Sequence, residues 1–249
     1  MTGFRQAVGL LTRLPVENTT GFDRAAAWFP AVGALVGSVV AGTYVILFPW
    51  LPSVLAAGIA VGVGVWLTGA FHEDGLGDTF DAFGSASTVE EALRIMRDPG
   101  LGTYGTIAVT LSMLLRIVAV GSLSPSAAVA GIVLGHTLGR ANAVAVMATT
   151  PPARIDGLGA SGVAAVSASA AVWAIVSGLA LSGAAAGWWV GPAVLLTVLA
   201  SAIVRRVAVR RIGGVTGDIL GAGEQLTEIV ALVLIAGATW RGWSPWWAG

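Results

Sequence analysis

The sequence contains no cysteine and no lysine, and it carries little charge of either sign. Without cysteine the chain has no disulfide bonds and no thiolate metal ligands, so any metal must be held by oxygen atoms or by its two histidines. Its 13 arginines are balanced by 13 acidic residues, which leaves no large basic surface of the kind that nucleic-acid binding requires. Charged residues make up 10% of the chain, against roughly 25% in soluble domains. Water is therefore not the main solvent of this protein.

Long apolar runs stand where charge is missing. The chain is 56% hydrophobic, with a mean hydropathy of +0.85, and a helix that crosses a bilayer needs about 20 mostly apolar residues. Seven stretches qualify: 25–48, 53–71, 104–121, 126–148, 162–182, 186–204 and 227–243. The sequence predicts an all-α fold, a polytopic integral membrane helix bundle with about seven transmembrane helices, as a single domain over residues 1–249.

The loops between these stretches differ in charge. If the N-terminus is inside, ten of the 13 arginines fall in the loops of one side. These segments are residues 1–24, 72–103, 149–161 and 205–226. Arginine favours the cytoplasmic side, and all 13 acids fall on the same side when Glu228, at the start of the last span, is included. The sequence predicts catalytic loops on the cytoplasmic face of the membrane.

The N-terminal segment has a helical pattern of its own. Phe4, Val8 and Leu11 recur at spacings of four and three, which predicts an amphipathic helix over residues 2–14. This helix either lies on the membrane surface or packs against the bundle.

The stretch FHEDGLGDTFDAFGS, residues 71–85, concentrates four acids within nine positions. In a helix, Asp74, Asp78 and Asp81 share one face. Like charges at this spacing repel, so a cation between them would stabilise the arrangement. Magnesium or manganese suits carboxylate ligands and often bridges to phosphates. The sequence therefore predicts metal ligands at these three positions, with Glu73 in support; a solvated helix end is the plainer alternative.

Arginines follow in EEALRIMRDPGLGTYGT, residues 90–106. Arg94 and Arg97 lie beside the predicted metal site, and a guanidinium is well suited to hold a phosphate. They could instead pair with Glu90, Glu91 or Asp98.

A second acidic group occurs in RRIGGVTGDILGAGEQLTEIV, residues 210–230. Glu224 and Glu228 lie four apart on one helical face, and Asp218 follows a glycine-rich approach whose backbone N–H groups could face an anion. The two acidic segments are predicted to be halves of one site. Glu228 could instead be a favourable charge at a helix N-terminus.

Two arginines fall within predicted spans. Arg140, one turn after His136, lies deep enough to need a cavity or a partner; it could reach a substrate phosphate with help from Asn142, or pair with an acid. Arg116 lies nearer the outer end of its span and is predicted to extend toward that surface. His72 and His136 are taken as structural.

Several of these motifs together resemble a known family. The segments are TRLPV (12–16), WFPAVGALVG (28–37), FHEDGLGDTFDAFG (71–84), RIMRDPGLGTYG (94–105) and GGVTGDILGAGEQLTE (213–228). In this order and in a chain of this length, they resemble the cobalamin synthases, or adenosylcobinamide-GDP ribazoletransferases. Gly77 and Ala82 depart from the residues usual in the family, and neither departure removes a ligand.

The resemblance implies a magnesium-dependent transferase, Mg²⁺ being its cofactor, in the bacterial inner membrane. A hydroxyl of α-ribazole, or of its 5′-phosphate, would attack the phosphorus of adenosylcobinamide-GDP and release GMP. The family reading makes Asp74 and Asp78 metal ligands, Asp81 a ligand or base, and Glu73 a supporting residue. Substrate-binding roles go to Arg94, Arg97, Arg140, Asn142, Asp218 and Glu224. The lipid bilayer is a further partner, nucleic acid is not, and the sequence is compatible with an oligomer.

Two other function classes remain open. CDP-alcohol phosphotransferases also place aspartates at the membrane surface, but their spacing D-x-x-D-G-x-x-A-R is absent from this sequence. An ion-coupled transporter would suit seven spans with intramembrane arginines, although transporter sites tend to lie near the bilayer midplane.

Overall fold

The computed structural model describes residues 2–16, 22–154 and 166–247, and within these ranges the fold is helical without strands. These ranges contain eleven α-helices: α1 Thr2–Leu11, α2 Phe22–Ala26, α3 Phe29–Leu47, α4 Ser53–Thr68, α5 Phe71–Ser85, α6 Val89–Ile95, α7 Thr103–Gly121, α8 Pro125–Thr149, α9 Ala168–Ala186, α10 Val190–Ile212 and α11 Gly217–Trp240. A 3₁₀ turn, Gly187–Trp189, joins α9 to α10. The predicted all-α bundle is confirmed.

The membrane-spanning helices agree roughly with the seven predicted stretches. In the described part of the chain, five helical segments are long and apolar enough to cross a bilayer, or six if α4 and α5 count as one bent span. The segment Ala168–Ile212 counts once, although it holds the fifth and sixth predicted stretches as α9 and α10. The first residues of the fifth stretch, 162–165, lie outside the described residues.

Helix α8 occupies the centre of the bundle, with α3, α9 and α11 packed around it. Its contact with α11 depends on a row of glycines, since a Cβ at Gly135 would come within 3.1 Å of the Glu228 backbone and one at Gly139 within 2.9 Å of the Glu224 side chain. Small residues let membrane helices approach closely. Here they bring two carboxylates of α11 against α8.

A sharp bend separates α4 from α5. The helices meet at 88°, and Gly69 and Ala70 both have left-handed backbone conformations, with φ of 70° and 60°. A positive φ is costly for alanine, so the bend is imposed by the packing around it. The helical stretch 71–85 is as predicted, but it does not continue the second span. The aspartates of α5 lie near the first residues of α7 and α11, where Asp81 contacts Gly102 and Gly105 and Gly75 packs against Asp218.

The remaining segments are also more helical than the sequence indicates. Helix α1 buries Ala7, Val8 and Leu11 and packs on α2 and α3, which is the bundle-packed alternative. The segment 72–103 consists largely of α5 and α6, while 205–226 forms the end of α10 and the start of α11, joined by a turn at 213–216.

Candidate active site

One end of the bundle carries a face of carboxylates from α5 and α11. The helices lie close there, because a Cβ at Gly75 would come within 2.9 Å of the carbonyl oxygen of Asp218. Asp218 lies in the first turn of α11, where Thr216 caps the helix by accepting from the Ile219 N–H. This packing brings Asp218 up to Asp74 and Asp78. We call these three side chains the acidic face.

The acidic face has more negative charge than its surroundings balance. Burial raises the pKa of Asp78 to about 7, and the carboxylates of Asp74, Asp218 and Asp81 act in the same direction, while Arg154 opposes them. Asp74 is exposed and Asp78 half-buried. The guanidinium of Arg154 lies 3.6 Å from the Asp218 carboxylate. A hard cation is the natural counter-charge for such oxygen donors.

Asp81 has a different environment from its neighbours on α5. Its side chain is buried, and its carboxylate oxygens accept hydrogen bonds from the backbone N–H groups of Gly102, at 2.7 Å, and Gly105, at 2.9 Å. A Cβ at either glycine would collide with this carboxylate. The segment GLGTYG is therefore held against α5 at the start of α7.

A second group of charges is buried inside the bundle, and we call it the buried network: Glu73, Arg116, Arg140, Glu224 and Glu228. Arg116 donates to Glu73 at 2.9 Å and to Glu228 at 3.0 Å. The prediction that Arg116 extends to the outer surface is wrong, because the side chain is 4% exposed and paired on both sides. Two guanidinium groups thus face three carboxylates drawn from α5 and α11.

Arg140 is the centre of this network. Its Nη1 contacts Glu224 and lies 3.0 Å from Glu228, while Nη2 lies 3.4 Å from His72. Pairing with acids is one of the two arrangements that the sequence allowed for this residue. Glu228 is twelve positions into α11 and 3% exposed, so the alternative of a charge at the helix N-terminus is wrong.

His136 adjoins the buried network. With Glu224 and Glu228 it forms the one group of three metal-capable side chains that the described part of the chain brings within 4.8 Å. However, Arg140 already contacts both carboxylates, and Gln225 donates to Glu224 at 3.2 Å. The space between the acids is therefore filled by a guanidinium. Neither Asp74, Asp78 and Asp81 nor the three side chains of the acidic face converge to the same degree.

Comparison with known proteins identifies the family. The family model for cobalamin-5-phosphate synthase matches residues 3–236. The chain belongs to the cobalamin-5-phosphate synthase family. Proteins named adenosylcobinamide-GDP ribazoletransferase are similar over most of both chains: 38% identical in Ralstonia pickettii (91% of each chain), 39% in Ralstonia nicotianae (92% of this chain, 93% of the relative) and 41% in Bradyrhizobium diazoefficiens (93% and 92%). No solved structure matches this chain.

The remaining residues proposed from the family motifs are dispersed. Arg94 and Arg97 are exposed at the end of α6, which packs against α5 and α10. Asn142 accepts a hydrogen bond from Ser201 at 2.7 Å and so joins α8 to α10. Their roles toward substrate stay predictions.

Sequence reasoning overlooked Arg154 and Gln225. Arg154 follows the fourth span on the same side as the acids, and this position could have indicated that it lies beside them. Gln225 gave none, because its partners Ser112 and Glu224 become visible only when α7 and α11 are placed together.

Proposed function

We propose that this chain transfers the cobinamide phosphate of adenosylcobinamide-GDP to α-ribazole or its 5′-phosphate, with release of GMP. Membership of the family and the activity for which its relatives are named support this proposal. In the proposed step, a hydroxyl oxygen of the riboside forms a bond to the phosphorus that carries cobinamide. The bond from that phosphorus to the bridging oxygen breaks, and GMP leaves with that oxygen. The hydroxyl proton passes to a carboxylate.

The single observation that carries the assignment of the site is the acidic face. Its donor set fits magnesium, because all three side chains are carboxylates and Arg154 is the cation beside them. Asp74, Asp78 and Asp218 would hold the ion. When bound, magnesium would neutralise charge on the transferred phosphate, which is the main requirement of phosphoryl transfer.

The other residues would position either the acidic face or the substrate. Asp81 holds residues 102–105 against α5, and the buried network fixes the depth and rotation of α5 against α11 through Glu73 and Arg116. Both contacts keep the carboxylates of the acidic face at a fixed separation. Arg94 and Arg97, on the adjoining α6 segment, would approach the pyrophosphate.

The arginine distribution of the loops supports a cytoplasmic orientation of this face, in an inner membrane. An ion-coupled transporter is the second candidate function, and the buried cluster of His136, Glu224 and Glu228 is the observation that favours it. Against it, the guanidinium of Arg140 occupies the space that a transported cation would need.

Protein reconstituted in liposomes tests the proposal. Adenosylcobinamide-GDP, α-ribazole and magnesium are supplied, and GMP and the cobalamin product are quantified. Wild type should form both products in equal amounts and stop when magnesium is chelated, while Asp78→Asn should lose at least two orders of magnitude in rate. Glu90→Gln, which removes an exposed acid of α6, is the matched control and should retain activity. A fully active Asp78→Asn variant would remove the acidic face from the mechanism.

A further inference from the structure

An apolar cavity with an open mouth lies beside the buried network between α1, α2, α3, α5, α8 and α11. Three aromatic rings and several aliphatic side chains form its walls. They include Phe22, Phe29, Phe71, Leu11, Met147 and Leu220. We call this space the aromatic cavity. Ligand sites of small molecules have this character, with apolar walls and a few polar groups that fix orientation.

The polar groups of the aromatic cavity are His72, Arg140 and Glu224. All three are more than nine-tenths buried. The Nε–H of Arg140 has no hydrogen-bond partner among the described residues, whereas the two oxygens of Glu224 already contact Arg140 and Gln225. A buried donor without a partner is destabilising. Arg140 and Glu224 therefore leave one donor unpartnered and no carboxylate oxygen unpartnered.

The cavity extends from the buried network toward the acidic face. Arg140 and Met147 on α8, like Glu224 and Gly217 on α11, are seven residues apart, which corresponds to about 10 Å along a helix. Gly217 immediately precedes Asp218, and Phe71 is three residues before Asp74. One end of the aromatic cavity thus adjoins the carboxylates of the proposed site.

We propose that the aromatic cavity binds the base of the ribazole substrate, with the acceptor nitrogen of the base toward Arg140 and the ribose at the end that adjoins Asp74 and Asp218. This inference rests on the proposed function, since it names where one of the two substrates of that reaction is held. The attacking hydroxyl is then placed beside the acidic face by a rigid ring system. Such positioning is a large part of catalysis in phosphoryl transfer.

Hydrogen-bonding chemistry favours this base over the guanine of the leaving nucleotide. A benzimidazole joined to ribose through one ring nitrogen keeps one other nitrogen, which only accepts. Guanine also presents N–H donors, and the carboxylate oxygens that could receive them are already engaged by Arg140 and Gln225. The methylated benzene ring of the ribazole base suits the apolar walls.

Two variants that change the size of the cavity test the proposal. Ala143 lines the cavity on α8, so Ala143→Phe should fill it, whereas Met147→Ala should enlarge it. The matched control is Ala148→Phe, at an exposed position of the same helix. Steady-state rates are measured with ribosides of benzimidazole, 5,6-dimethylbenzimidazole and a larger naphthimidazole. Binding of each riboside alone is measured by equilibrium dialysis.

In the expected result, Ala143→Phe raises KM for the dimethylbenzimidazole riboside at least tenfold and raises KM for the smaller benzimidazole riboside by less. KM for adenosylcobinamide-GDP is unchanged. Met147→Ala shifts preference toward the larger base. Equal losses for all ribosides, or a changed KM for adenosylcobinamide-GDP alone, would overturn the proposal.

The binding arm separates this inference from the proposed function. If wild type binds the riboside and Ala143→Phe does not, the cavity assignment holds even when no transfer occurs, and the failure belongs to the reaction. If transfer occurs and riboside binding is the same in both proteins, the cavity assignment is wrong and the reaction stands.

Discussion

Glu73 and Asp74 are neighbours in the sequence, yet they belong to two regions with opposite electrostatic character. Glu73 is buried and paired with Arg116 at 2.9 Å, whereas Asp74 is exposed in the acidic face. In the buried network, each carboxylate contacts a guanidinium. In the acidic face, Arg154 lies 3.6 Å from Asp218, and the described residues form no ion pair with Asp74 or Asp78. The comparison separates acids that hold helices together from acids that are suited to bind a metal ion.

The largest expected effect comes from breaking the buried network. Arg116→Met leaves Glu73 buried without a counter-charge and leaves Glu228 with Arg140 as its guanidinium partner. Removing one partner of a buried ion pair costs about 3–5 kcal/mol. We expect a strongly lowered melting temperature in detergent, or no folded protein. Arg241→Met, at the exposed end of α11, is the control and should melt like wild type. A fully stable Arg116→Met variant would contradict the structural role of the network.

A matched pair on α11 sharpens the comparison. Glu224→Gln removes a charged partner of Arg140 and should cost about 1.5–3 kcal/mol, the range for a hydrogen bond to a charged group. Asp218→Asn, six positions earlier, should not lower stability, because it removes repulsion with Asp74 and Asp78. The same change should lower transferase rate at least tenfold. Chemical denaturation measures the stability of both variants, and initial rates measure their transferase activity. If Asp218→Asn lost stability and kept its activity, Asp218 would belong to the acids that stabilise the fold and not to the proposed site.

Asp81 lies between the two classes, since it is on the helix of the acidic face but accepts from the backbone of Gly102 and Gly105. Asp81→Asn replaces one acceptor oxygen by an NH₂ group and should cost about 1 kcal/mol. If Asp81 acts by position, the variant turns over slowly but binds divalent ions with wild-type affinity. A loss of ion affinity equal to that of Asp78→Asn would instead make it a ligand, as the family resemblance implies.

The smallest effect is a pH dependence of stability in the metal-free protein. Asp78 has a pKa of about 7 in the folded chain, raised from 3.8, so the folded state holds the proton more tightly. Its stabilising contribution is complete below pH 3.8 and is lost as the pH rises through 7. Solvent screening at this half-buried site limits the change to less than about 1 kcal/mol. Melting temperatures from pH 4 to 8 should show this decline in wild type and not in Asp78→Asn.

Much of the fold follows from the apolar runs, whereas the partners of the charged residues do not. The runs predicted the helices because a bilayer requires long apolar segments. Arg116 was misjudged because its partners Glu73 and Glu228 are 43 and 112 residues away in sequence. The alternative that placed Glu228 at a helix start was wrong because α11 begins ten residues earlier than its apolar pattern, at the Thr216 cap. The bend at Gly69 and Ala70 could not be predicted from the sequence, since alanine rarely adopts a positive φ.

The acidic face was predicted in part, because the helical spacing of Asp74 and Asp78 is visible in the sequence. Asp81 has the same helical spacing, but its carboxylate oxygens accept hydrogen bonds from two backbone N–H groups. Asp218 completes the face through the close contact of α5 with α11 at Gly75. Such a contact between distant segments depends on tertiary packing and could not be derived from spacing along one helix.

The most direct test of the central claim is a count of bound Mn²⁺ by electron paramagnetic resonance on purified protein in nanodiscs. We predict that wild type and Glu90→Gln bind the ion and that Mg²⁺ displaces it, while Asp78→Asn loses the bound signal and remains folded. If Asp78→Asn keeps the bound ion at wild-type affinity, the acidic face is not the metal site, and the distinction between the two groups of acids fails.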